Sequence, residues 1–307
     1  MVSMSTIKSL KIENDNKIIT DLFEISIILN NQFKSVFSID NSSKLPNFDY
    51  KTEAKCDLFN LEKILEKIKK LDPTKAIGPD KIHGVVLKNC GEIPELWKYA
   101  NVTPLHKGGS KLSPKNYRPV SLSCISCKIF VSLVNDFMLK HLLDNNLISN
   151  SQHEALANGY PIDIIYTNFA KAFDKVSHRK LLFKLKYYGF GDMLIKWIKS
   201  YLSGGKQRVV LGETISEWVD VESGVPQGLV LGPLLFIIYI NDMLEIISNS
   251  CEAYADDTKI LSIVFDSIIK LQNYLDNVCK WSKDWSAELN VDKCKIIHIG
   301  NNNTKFD

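Results

Sequence analysis

Two adjacent aspartates, Asp256 and Asp257, fall within an apolar alternating stretch, Glu252 to Ile263. The alternation predicts a hairpin with Tyr254-Ala255-Asp256-Asp257 near its turn. Few folds tolerate such a pair, because like charges repel and burial disfavours ionisation. Either the turn is solvated or a divalent cation offsets the charge. Magnesium binds a few carboxylates together with phosphate oxygens and water. A pair of such ions stabilises both attack and departure in phosphoryl transfer. A bare Asp-Asp dipeptide is more often a solvated turn, so the surrounding residues decide.

Those surroundings predict interleaved helices and strands. Leu22, Ile25, Ile28 and Leu29 recur at helical spacing, followed by Phe33 and Phe37, within the polar residues 1–50. Asp57 caps a helix from about Leu58 to Leu71, which Asp72-Pro73 ends before a turn at Ile77-Gly78-Pro79-Asp80. Residues 95–130 read as short strands and loops around Tyr117-Arg118-Pro119, overlapping a long helix from Ile125 to Ile148. A strand is expected at Ile162–Phe169, a helix at Ser177–Leu202, and a hairpin from Gln207–Leu211 and Glu217–Val221. An apolar helix at Pro233–Ile247, an amphipathic one at Ser267–Leu289 and a strand at Cys294–Ile299 complete the pattern. Such interleaving implies a mixed sheet with helices on one face.

Composition excludes several classes. With 307 residues, 45% of them hydrophobic, the chain can bury one large domain or two smaller ones. Its longest apolar run, Leu229 to Ile240, is interrupted by Gly232 and Pro233 and is too short to span a bilayer. The first thirty residues lack a signal-peptide core. The expectation is an intracellular protein, nuclear or cytoplasmic, with no membrane partner. Seven cysteines include a lone Cys124-Ile125-Ser126-Cys127 with no second ligand pair, so reduced thiols and no disulfide-linked partner are expected. The six histidines show no metal spacing. A net charge of +3 permits a nucleic-acid partner if Lys and Arg gather in a groove.

Several blocks follow one another in order. They are Gly78-Pro79-Asp80, Asn116-Tyr117-Arg118-Pro119-Val120-Ser121-Leu122, and Lys171-Ala172-Phe173-Asp174-Lys175-Val176. Next come Gly224-Val225-Pro226-Gln227-Gly228 with Leu231-Gly232-Pro233-Leu234, then Tyr254-Ala255-Asp256-Asp257, then Leu289-Asn290-Val291-Asp292-Lys293-Cys294. Together they resemble the reverse transcriptases of non-LTR retrotransposons (LINE-like, jockey/CR1-type), over nearly everything from residue 55 to 300. The resemblance implies an RNA-directed DNA polymerase performing nucleotidyl transfer with two divalent metals, Mg²⁺ or Mn²⁺. Its partners would be an RNA template, a DNA primer and deoxynucleoside triphosphates. The implied fold is an α/β (α+β) polymerase palm-and-fingers, with an antiparallel palm sheet packed on helices, the fingers shortened and the thumb absent. Residues 1–54 would be an N-terminal linker region, 55–160 fingers-like, 161–300 palm and 301–307 a tail.

The resemblance also assigns roles. Asp256 and Asp257 would be metal ligands. Phe173 would be the steric gate against a ribose 2′-OH, with Phe169 in the same substrate-binding set; Phe173 also suits a buried strand-end position. Gln227, followed by Gly228, would lie along the incoming nucleotide, where glycines allow close backbone approach. Lys107 and Arg118 would reach the triphosphate, since the planar guanidinium suits phosphate, although both also suit a solvated surface. Lys293, with Lys295 as an alternative, would stand near the pyrophosphate as proton donor.

The chain departs from the family at a position that matters chemically. The family's first palm block reads Asp-Phe-(Ser/Ala)-Lys-Ala-Phe-Asp, whereas this chain reads Asn168-Phe169-Ala170-Lys171-Ala172-Phe173-Asp174. An amide at Asn168 offers an oxygen without charge, so a hard cation loses attraction there. Asp163 lies five positions earlier, on the opposite face of a strand, and Asp174 lies beyond the strand end. Leu229 stands where the family has Ser, and Val131 where it has Glu. Asn89–Pro94 and Ser151–Leu156 join blocks that the family separates by longer segments, through either genomic deletion or a mistaken coding join. The chain also stops soon after the late lysine block, and no endonuclease block precedes the palm. The expectation is a reverse transcriptase copy that is impaired or inactive, or else a catalytically dead remnant with at most weak nucleic-acid binding.

Overall fold

A short hairpin of β1 (Leu10–Lys11) and β2 (Ile18–Ile19) leads into helix α1 (Leu22–Lys34). The structure is a computed structural model that describes residues 7–12, 17–38, 45, 95–147, 162–246, 251–254, 257–263 and 268–299. Asp21 caps α1 by accepting from the Glu24 N–H at 2.9 Å. A 3-10 turn at Glu95–Lys98 precedes β3 (Tyr99–His106), β4 (Tyr117–Leu122) and helix α2 (Ile125–Asp144). Then come β5 (Ile162–Asn168), α3 (His178–Tyr187) and α4 (Asp192–Leu202). Strands β6 (Gly205–Leu211), β7 (Thr214–Ile215) and β8 (Val219–Val221) precede α5 (Leu231–Ile246). Last are β9 (Cys251–Tyr254), β10 (Asp257–Ile263), α6 (Ile268–Trp285) and β11 (Lys295–Ile299). The helix expected at 58–71, the turn at 77–80 and the junctions at 89–94 and 151–156 lie outside the described residues.

One sheet is antiparallel throughout, in the order β11-β5-β10-β9. It packs against helices as expected for a palm. Ile165 and Phe169 are buried in one cluster with Phe130 of α2, Leu181 of α3, Phe236 of α5 and Trp281 of α6. The other sheet is mixed, in the order β4-β3-β6-β7 with β8 also on β6; β3 and β6 run parallel. Helix α1 closes one face of it. Ile25, Leu29 and Phe33 pack with Val102, Tyr117 and Val209, and with Leu10 and Ile19. Each such burial contributes about 1.5–3 kcal/mol before ordering costs. Residues within the stretch expected as a linker thus complete a second core.

Several boundaries differ from expectation for identifiable reasons. The helix expected over 177–202 is divided, because Gly189 takes φ 80° and the Phe190 N–H returns to the Leu185 carbonyl at 3.1 Å. Helix α2 stops at Asp144, because Asn146 takes φ 51° and the Leu147 N–H bonds the Leu142 carbonyl at 2.8 Å. Helix α6 stops at Trp285, where Ser286 takes φ 55°, and Leu289 bridges to Phe169 instead. Among the described residues no helix is long and apolar enough to cross a membrane. Cys124, Cys127, Cys279 and Cys294 are joined in no disulfide.

Candidate active site

Asn168 ends β5, and the strand pairing fixes what it faces. Asp257 opens β10 as the Cα partner of Asn168 on one side and of Tyr254 on the other. Directly opposed antiparallel residues have Cα atoms about 4.5–5.5 Å apart. Ala255 and Asp256, which link the two strands, lie outside the described residues. Asn168 is buried, at 8% exposure. The Asn290 N–H donates to the Asn168 carbonyl at 2.7 Å and Leu289 bridges Phe169, so the late lysine block is tied to the end of β5.

After β5 the chain turns sharply. Lys171 takes φ 54°, and its carbonyl accepts from the Asp174 and Lys175 N–H groups at 2.9 and 3.0 Å. This turn docks on the segment 223–227. The Val225 N–H donates to the Phe173 carbonyl and the Gly224 N–H to the Val176 carbonyl, both at 2.8 Å. Ser223 Oγ donates to the Asp174 carbonyl, and Gln227 Nε2 to Asp174 Oδ1, both at 2.7 Å. A Cβ at Gly224 (φ 89°) would lie 2.7 Å from the Phe173 carbonyl oxygen, so close docking requires glycine. On the other side the Ser121 N–H donates to the Gln227 carbonyl at 2.9 Å. A Cβ at Gly228 (φ 92°) would meet Val120 at 3.0 Å. Gln227 and Gly228 are therefore clamped between the palm turn and β4.

The two phenylalanines part company. Phe173 is half-buried and stacks on Phe236, with centroids 4.8 Å apart and planes at 28°. Phe169 is buried at 3% and meets Phe236 and Trp281 edge-on or tilted. Adjacent strand positions alternate faces, so Phe169 supports the site from the helical core while Asn168 takes the other face.

The electrostatics gather around the turn. Burial lowers the Lys107 pKa, and the neighbouring positive charges of Lys171 and Lys293 lower it further, against the opposing pull of Asp174. Burial raises the Asp174 carboxyl, although the Gln227 hydrogen bond and the charges of Lys171 and Lys107 act the other way. The structure thus brings Lys107, Lys171 and Lys293 into range of one another around Asp174. Three lysine side chains gathered there favour an anion, which would relieve their mutual repulsion. Arg118 is exposed on the same hairpin as Lys107, opposite Leu105. Lys171 and Asp174 were not singled out from the sequence as site residues; their place in the block beside Phe173 was the available signal.

A divalent cation at the hairpin would draw on Asp256, Asp257 and position 168, and position 168 supplies an uncharged amide. Substitutes are remote or engaged. Asp163 pairs with Ser262, five residues back along β5, which is about 17 Å of strand. Asp174 Oδ1 is held by Gln227. Among the described residues no group of three or more His, Cys, Asp or Glu side chains is placed to hold a metal ion.

Comparisons with known proteins identify the family. A sequence profile of the family described as "Reverse transcriptase (RNA-dependent DNA polymerase)" matches residues 105–306. The chain is 27% identical over 291 residues to "RNA-directed DNA polymerase from mobile element jockey" of Drosophila melanogaster, covering 78% of this chain and 32% of that protein. It is 27% identical over 289 residues to "Probable RNA-directed DNA polymerase from transposon BS" of the same species, covering 76% and 31%. A third relative, "Probable RNA-directed DNA polymerase from transposon X-element", is 26% identical over 239 residues, covering 66% and 26%. The chain spans about a quarter to a third of the length of these relatives.

Proposed function

Because the chain belongs to the reverse transcriptase (RNA-dependent DNA polymerase) family, as a domain of the non-LTR retrotransposon type, we propose that it keeps a cleft for nucleotide and template–primer but is impaired in nucleotidyl transfer. The observation that carries this is the register that sets Asn168 opposite Asp257. Losing a carboxylate there weakens the hold on Mg²⁺ or Mn²⁺, and with it the stabilisation of the transferring phosphoryl group.

The remaining residues support binding. The triphosphate of a deoxynucleotide sits among Lys107, Lys171 and Lys293, with Arg118 reaching from β4 as a planar donor. Gln227, oriented by Asp174, lies along the sugar. Phe173, braced by Phe236, occupies the space a 2′-OH would need. RNA template and DNA primer are the partners. The limiting case of this reading is a catalytically dead remnant that still binds nucleic acid.

The test is primer extension on an RNA template with Mg²⁺ or Mn²⁺, beside an Asn168→Asp variant. The expected result is little incorporation by the unmodified chain and at least about a tenfold rise in the variant, corresponding to roughly 1.4 kcal/mol. Equal incorporation by the two chains overturns the reading. Silence in both moves the defect away from position 168.

A further inference from the structure

The turn that carries Phe173 is gripped at four successive carbonyls. The Phe173 carbonyl accepts from the Val225 N–H and the Val176 carbonyl from the Gly224 N–H, both at 2.8 Å. Between them, the Asp174 carbonyl accepts from Ser223 Oγ at 2.7 Å and the Lys175 carbonyl from Ser38 Oγ at 3.2 Å. Two of these donors are backbone groups, which any residue except proline supplies. The other two are hydroxyls, so they depend on serine at positions 38 and 223. The serines are also joined to each other, because the Ser38 N–H donates to Ser223 Oγ at 2.8 Å. Ser223 Oγ thus accepts on one side and donates on the other, as a hydroxyl can. Ser223 is buried at 1% exposure, so water does not compete for these bonds.

Both serines leave the half of the molecule built on the mixed sheet. Ser38 lies four residues beyond α1, whose Phe33 is buried with Val102 and Val209, and Ser223 lies two residues beyond β8. The end of α1 is itself wrapped, with the Phe37 N–H returning to the Lys34 carbonyl at 3.1 Å. We propose that Ser38 and Ser223 are positioning residues for Phe173, and that through them α1 and the mixed sheet set how strongly a deoxynucleotide is preferred over a ribonucleotide. The inference rests on the gate role proposed for Phe173 and extends it to residues that touch no substrate. The Phe173 ring is braced by Phe236, but its place along that stack is set by its backbone. Exclusion of a single hydroxyl works only at van der Waals contact, so a displacement of about 0.5–1 Å relaxes it. With either serine hydroxyl removed, the Gly224 and Val225 N–H bonds still dock the turn. The carbonyl that loses its donor then frees the chain just after Phe173.

The test is equilibrium dialysis of radiolabelled dATP and ATP against the full chain bound to an RNA template and a dideoxy-terminated primer, in Mg²⁺. The readout is the ratio of the two dissociation constants. A variant that merely loses folded protein weakens both equally and leaves the ratio unchanged. The expected result is a ratio favouring dATP in the unmodified chain. It should fall at least about threefold in Ser38→Ala and in Ser223→Ala, mainly by tighter ATP binding, which is the lower range for one hydrogen bond. Ser38→Thr keeps a hydroxyl and should keep the ratio. Phe173→Ala should remove the preference, and adding Ser38→Ala to it should change nothing further. A ratio unchanged in Ser38→Ala, or in a folded Ser223→Ala, overturns the proposal. So does a loss from Ser38→Ala that persists in the Phe173→Ala background, since the serine would then act elsewhere. A ratio unaffected by Phe173→Ala overturns the gate reading and the proposal with it. Failure to bind either nucleotide overturns the nucleotide site itself and, with it, both.

Discussion

Asn168 and Asp257 are direct partners across β5 and β10, and the same β5 end is clamped from behind by Asn290 and Leu289. The backbone pairing therefore fixes Asn168 beside Asp257 at the start of β10. Around it, the turn carrying Phe173 and Asp174 is docked on Gly224–Gln227, and Gln227 on Ser121. On the proposed reading, binding and catalysis are separable in this chain, and each can be tested alone.

Gly224 is the tightest point of that frame. Alanine there would need a left-handed conformation, costing about 1–2 kcal/mol, and would push its Cβ to 2.7 Å from the Phe173 carbonyl. Gly224→Ala should destabilise the chain by about 2 kcal/mol or more, read as a lowered urea midpoint, and should weaken deoxynucleotide binding because Phe173 and Gln227 shift together.

His178 gives the frame a pH dependence. Its Nε2 bonds the Gly224 carbonyl at 2.7 Å. Burial lowers its pKa, with the Gly224 hydrogen bond opposing. A depressed histidine favours the neutral form in the fold, so its contribution is present above the unfolded value of 6.5 and is lost as pH falls through the lower folded value. The difference in melting temperature between wild type and His178→Gln should shrink as pH falls from 7.5 to 5. Asp174, whose raised pKa acts in the opposite sense, is common to both chains and cancels in the difference.

Lys184 is buried at 1% exposure among α3, α5 and α6, bonded to the Asp242 carboxylate and the Tyr239 carbonyl, and its Nζ lies 3.7 Å from the Trp285 ring centroid. Removing one partner strands a buried charge. Lys184→Met alone should cost about 3–5 kcal/mol, whereas Lys184→Met with Asp242→Leu should return close to wild type or better. Equilibrium unfolding in urea measures both.

How much of this was legible beforehand follows from where each signal resides. Local patterns were readable. The apolar spacing of α1 carries Ile25, Leu29 and Phe33 inward, and the strand expected from the alternation over 162–169 forms as β5. The same alternation implied that Phe169 faces away from Asn168, yet both were placed in the site. The break at Gly189 was hidden inside a helical run, because only the surrounding packing decides whether a glycine ends a helix. The parallel pairing of β3 with β6 joins residues about a hundred apart and leaves no local trace. Lys171 and Asp174 became site residues only through the docked turn. The amide at position 168 was visible from the sequence, and what the fold added is its partner, Asp257.

The most direct measurement is Mn²⁺ affinity, titrated by electron paramagnetic resonance, in the unmodified chain, in Asn168→Asp and in Asn168→Asp with Asp257→Asn. The account predicts that Asn168→Asp binds Mn²⁺ at least about tenfold more tightly than the unmodified chain, roughly 1.4 kcal/mol, and that Asp257→Asn removes the gain. Equal affinity of the unmodified chain and Asn168→Asp would contradict it.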